Sequence, residues 1–106
     1  MLRELFESGG LVMCNTQDEA ASIIMIAYGE GYIVDDLIMG NPGTESLRYM
    51  QMVQWMIRDR MSHGPLLIRQ VRKHILKVES EPFSEYERNF DAAEILDRFM
   101  FNQFND

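Results

Sequence analysis

The 106-residue chain has one cysteine, three prolines, seven glycines and only ten basic residues against seventeen acidic ones. A lone Cys14 excludes any intramolecular disulfide, which points to a reducing, cytoplasmic compartment. The glycine and proline contents exclude a collagen-like chain, and a 46% apolar content excludes an intrinsically disordered one. No apolar run approaches the ~20 residues that span a bilayer. The first residues, Met1-Leu2-Arg3-Glu4-Leu5-Phe6-Glu7, carry acids where a secretory leader needs bases and an apolar stretch. A soluble protein with no membrane role is expected.

Known catalytic and ligand-binding patterns are lacking too. Gly29-Glu30-Gly31 lacks the remainder of a dinucleotide fingerprint, and no phosphate loop is present. His63 and His74 stand eleven residues apart without a second histidine or cysteine at ligand spacing. Asp35-Asp36 does not continue into an EF-hand, since Ile38 and Gly40 fall where oxygen ligands belong. Cys14 precedes a helix start, where a thiolate is favoured, but a cysteine ending an apolar strand reads first as a small buried hydrophobe. His74 reads as a boundary residue, His63 as a capping or surface residue, and Asp35 and Asp36 as turn residues. The expectation is a protein that is not an enzyme, with no metal and no cofactor.

What the chain does have is partitioned charge. Residues 1–47 carry −7, residues 48–77 carry +6 and residues 78–106 carry −6, for a total of −7. Eight of the ten bases are arginine, whose planar fork suits carboxylates, phosphates and aromatic faces. A basic centre between acidic flanks has three uses. It can pair with the chain's own acids or those of a second copy, face nucleic acid, or meet a separate acidic partner.

Periodicity predicts a helix-dominated α+β single domain over residues 1–106. It has four helices, one of them short, and a small sheet of two or three strands. One or two helical turns over residues 2–8 close at Gly9 and Gly10. Leu11-Val12-Met13-Cys14 reads as a buried strand. Thr16 and Glu19 form a capping-box pair opening a helix with Ala20, Ile23, Ile24 and Ala27 inward, stopped at Gly29 or Gly31. Tyr32-Ile33-Val34 is a second strand and Leu37-Ile38-Met39 a candidate third, before the breaker Gly40-Asn41-Pro42-Gly43. A long helix follows from Gly43 or Thr44 to about Met61. Another helix, over residues 65–78, has Leu67, Ile68, Val71, Ile75 and Val78 on one face and Arg69, Arg72 and Lys73 on the other. The last helix starts at Ser84 or Asp91 and reaches about Phe104.

Two surfaces stand out. On the long helix Leu47, Met50, Val53, Ile57 and Met61 are expected inward, with Met52 and Met56 along one edge. Arg48, Gln51, Gln54, Arg58 and Asp59 form a polar arc from which Trp55 projects. A tryptophan among arginines is the composition of an interface hot spot, and the alternative is that another element covers it. The C-terminal segment holds five of the six phenylalanines, Phe83, Phe90, Phe99, Phe101 and Phe104, together with Tyr86. Its apolar arc is wide enough to suggest burial in a homodimer or against a partner, unless a bend at Asn89 turns two faces to one core. Nine methionines read as core filling or as an adaptable binding surface.

Leu11-Val12-Met13-Cys14-Asn15-Thr16-Gln17-Asp18-Glu19-Ala20, continuing to Gly29-Glu30-Gly31-Tyr32, resembles the opening of small bacteriophage-encoded accessory proteins. There a strand leads into a Thr-capped helix and returns through a Gly-x-Gly-Tyr-like end. The resemblance covers 22 of 106 residues, implies a phage or mobile-element origin and a role in binding a host protein, and carries over no functional residue.

The leading expectation is a small acidic interaction protein that binds and modulates, or inhibits, another protein. Its partner-binding residues would be Trp55, Arg48, Gln51 and Arg58. The alternative is a DNA-binding regulator using a helix-turn-helix at residues 45–78, with Arg69, Arg72 and Lys73 toward the nucleic acid.

Overall fold

A computed structural model describes residues 2–37, 46–80 and 88–105. The fold is α+β. Among the described residues it comprises α1 (Leu2–Glu7), β1 (Leu11–Cys14), α2 (Gln17–Gly29), β2 (Ile33–Val34), a 3-10 turn (Asp35–Leu37), α3 (Ser46–Arg60), β3 (Leu66–Arg72), β4 (Ile75–Glu79), β5 (Asn89–Asp91) and α4 (Ala92–Asn105). The strands form one mixed sheet in the order β2-β4-β3-β1-β5. β3 runs antiparallel to β1 and β4, while β2 pairs parallel with β4 and β5 parallel with β1. Four strands therefore point one way and β3 points the other.

The N-terminal third follows its local signals. Gly9 turns the chain with φ of +85°, and Gly10 lies so close to α1 and β5 that a Cβ there would sit 2.9 Å from both the Leu5 carbonyl oxygen and the Phe90 ring. Only glycine fits that approach. At the start of α2 the Thr16 hydroxyl accepts from the Glu19 N–H at 3.1 Å, and Glu19 Oε1 accepts from the N–H groups of Asn15 at 2.9 Å and Thr16 at 3.1 Å. The capping box is complete. Ala20, Ile23, Ile24 and Ala27 are buried as their spacing requires.

The sheet is larger than the two or three strands expected, and residues 65–78 are the reason. They form no helix but the β3–β4 hairpin. Register pairs Ile68 with Val78 and Gln70 with Leu76, so Leu66, Ile68, Leu76 and Val78 meet the core by strand alternation. A helical stripe through Leu67, Ile68, Val71, Ile75 and Val78 fits the same run of sequence, and the turn carries no Asn-Gly or Asp-Gly signal. It is made instead by Lys73 and His74, the latter at φ of +62°, a conformation in which histidine is enriched. An irregularity between Gln70 and Arg72 further blurs the alternation. The helix-turn-helix at residues 45–78 thereby loses its second helix.

One sheet face carries Val12, Cys14, Val34, Leu66, Ile68, Leu76 and Val78 into a continuous core with all four helices. α2 is central to the helical layer, touching α1, α3 and α4. Leu11 and Leu67, on the opposite sheet face by alternation, are buried outside that core.

Leu37 is a buried residue of the 3-10 turn rather than part of a third strand; Ile38 and Met39, the breaker at residues 40–43 and Thr44 lie outside the described residues. Of the two starts considered for the last helix, Ser84 lies outside them, and α4 begins after Asp91, whose Oδ1 accepts from the Ala93 N–H at 3.1 Å. Ala92 and Ile95 are buried, with Leu96 and Phe99 packed beside them. The remaining aromatic side chains on which a C-terminal homodimer face was expected, Phe83, Tyr86, Phe101 and Phe104, fall outside the described set.

Candidate partner-binding face

The rotation of α3 about its axis decides which residues it offers. Tyr49 fixes that rotation. Its hydroxyl accepts from the buried Val34 N–H at 3.1 Å, and its ring stacks on Tyr28 with centroids 4.8 Å apart. Burial pushes the Tyr49 hydroxyl pKa up, and the Val34 bond partly offsets that rise. At the C-terminal end Arg60 donates to the Val78 carbonyl at 2.7 Å and pairs with Asp36. Tyr49, Val53, Met56 and Ile57 consequently form the buried stripe.

This setting turns the helix relative to the inward face expected from spacing. Val53 and Ile57 are buried as expected, and Met50, Met52 and Met61 pack partly against the core. Leu47 is the correction, since it is 87% exposed. In the observed orientation Tyr49 takes the buried place that spacing assigned to Leu47, and its hydroxyl meets the Val34 N–H across the fold.

The opposite arc holds Leu47, Arg48, Gln51, Gln54, Trp55, Arg58 and Asp59, all exposed. Trp55 is 60% exposed, so no described element covers it. An open groove of about 420 Å³ runs beside it, lined by Leu37, Arg48, Gln51, Met52 and Trp55. The structure thus brings Arg48, Gln51 and Trp55 together with Leu37 and Met52 at the groove and leaves Leu47 exposed on the same arc, three apolar residues that pattern reading missed. Met52 and Leu47 lay on the face assigned to the core, and Leu37 comes from a distant turn. Arg58 stands one turn further on, beside a smaller hollow of about 150 Å³ with Gln17, Asp18, Ala21, Gln54 and Ile57.

The basic residues proposed for nucleic acid are elsewhere and differently engaged. Arg72 donates to Asp35 at 2.9 Å, and Arg69 lies 4.0 Å from Glu79, which also holds Lys77 at 3.0 Å. Lys73 is exposed in the hairpin turn. Arg48 and Arg58, by contrast, form no ion pair among the described residues.

Cys14 is wholly buried at the end of β1, and its thiol is pushed up to about 12, by burial first and then by Glu19 and Asp91. A thiol so held stays protonated and unreactive at neutral pH. His74 rests edge-on against Tyr32 at 5.6 Å, and its carbonyl accepts from the Ile33 N–H at 3.0 Å; His63 is exposed in the turn after α3. Among the described residues no three His, Cys, Asp or Glu side chains gather as a metal site, and no helix is long and apolar enough to cross a membrane.

The described architecture is therefore a two-layer α+β domain presenting a tryptophan–arginine helix face. No family model matches the chain, and no curated protein or solved structure matches it either.

Proposed function

We propose that this protein acts by contact, binding another protein through the outer arc of α3 and modulating it. The single observation that carries the reading is the exposure of Trp55 at 60% between Arg48, Gln51 and Arg58 and above an apolar-floored groove. Tryptophan and arginine dominate interface hot spots because they combine a large contact area with directional hydrogen bonding. What supports an intermolecular role is the indole's company, two arginines and an apolar-lined groove, on a helix anchored through Tyr49 and Arg60.

The test is affinity capture from the source cell with wild-type chain and with Trp55→Ala. The variant is expected to keep its far-ultraviolet circular dichroism and to lose the captured partner. Undiminished capture by Trp55→Ala would remove this face from the account.

A further inference from the structure

Resting on the proposal that α3's outer arc is a binding face, we infer that its occupant is an acidic amphipathic helix of a partner protein. Three features of the molecule converge on that chemistry. First, the basic block is sorted. Arg60, Arg69, Arg72 and Lys77 are held by Asp36, Glu79 and Asp35, and Lys73 stands exposed in the hairpin turn, whereas Arg48 and Arg58, on one helix face, form no ion pair among the described residues. Two guanidinium forks without an ion pair among the described residues suit carboxylates, which they can bind bidentately.

Second, the spacing selects a helix. Arg48, Gln51, Trp55 and Arg58 follow one another at intervals of three, four and three, the seam along which a second helix packs at a shallow angle. At 1.5 Å per residue the two arginines are about 15 Å apart along the axis, so the matching helix needs carboxylates about ten residues apart. Third, the groove lined by Leu37 and Met52 opens beside the indole and Arg48. It takes an apolar side chain from the middle of the same helix, while exposed Leu47 extends the apolar contact at one end. A nucleic acid strand would also stack on an indole between arginines, but the net charge of −7 repels a polyanion longer than the face itself.

The experiment pans the intact chain against a phage-displayed library of random peptides about 16 residues long, enough for four helical turns. Enriched peptides are expected to be acidic, with apolar residues every three or four positions. Their affinity should fall on the order of tenfold with Arg48→Ala plus Arg58→Ala and fall further with salt. Lysine-for-glutamate versions of the same peptides should not bind. Peptides that depend on Trp55 but are neutral or basic would overturn this inference and leave the binding face standing. Peptides that bind Trp55→Ala as well as wild type would overturn both. A library yielding no enriched peptide, or a twelve-nucleotide oligothymidylate that binds where no acidic peptide does, would overturn the inference alone.

Discussion

The hairpin end of the molecule and the outer arc of α3 draw on the same basic stretch of sequence and use it in opposite ways. At the hairpin end, Arg60 ties α3 to β4 and to Asp36, Arg72 reaches Asp35, and Glu79 gathers Lys77 and Arg69. Arg69 and Lys77 are directly opposed in register, and the carboxylate offsets a like-charge pair that would otherwise weaken the ladder. On the outer arc, Arg48 and Arg58 flank an exposed indole with no such partners among the described residues. Charge patterning along a sequence therefore marks cations, but the fold decides which become internal clamps and which remain for a ligand.

Substitutions can sharpen or break that contrast. The largest effect is expected beneath the hairpin. Ile68→Ala removes a fully buried side chain at the sheet centre and should cost about 2–5 kcal/mol in urea unfolding. A loss below about 1 kcal/mol would mean that the hairpin is not packed as described. Tyr49→Phe strips the acceptor from the buried Val34 N–H and should cost about 1–3 kcal/mol. No change would detach the helix's rotation from Tyr49.

Cys14 gives the next effect, through pH. Its folded-state pKa lies above the unfolded value of 9.0, so the native state retains a proton that the unfolded chain releases. Stability should be unaffected by this group below pH 9 and should decline by up to about 1.4 kcal/mol per pH unit from there toward 12. Cys14→Ala should remove this share of the slope and leave the share from the raised Tyr32 and Tyr49 hydroxyls, and iodoacetamide should label the thiol only after unfolding. Arg60→Met should cost about 1 kcal/mol through its lost bond to the Val78 carbonyl. Arg48→Ala with Arg58→Ala should alter unfolding by no more than about 0.5 kcal/mol. A loss as large as that of Arg60→Met would show that these arginines serve the fold after all.

How much of this was legible depended on where the deciding contact lies. α2 was readable because Thr16, Glu19 and the spacing from Ala20 to Ala27 all act within a few residues. The α+β class, β1 and the turn at Gly9 and Gly10 were readable for the same reason, as was the polar arc around Trp55. The hairpin was not, because Leu67, Ile68, Val71, Ile75 and Val78 fit a helical face while the true inward set, Leu66, Ile68, Leu76 and Val78, fits two strands. With His74 supplying the left-handed turn residue, no glycine punctuated the run. β5 is three residues long and exists only by pairing with β1. Arg48, Gln51 and Trp55 were legible as neighbours on one helix face, but the groove beside them was not, because the approach of Leu37 to α3 is a tertiary fact.

Trp55 is the chain's one tryptophan, so its fluorescence reports this arc without interference. Acrylamide quenching of the purified native protein measures the central claim directly. Access close to that of the urea-unfolded chain, with little shift in emission, is the result expected of an indole the fold leaves in water. A blue-shifted emission shielded from acrylamide would contradict it.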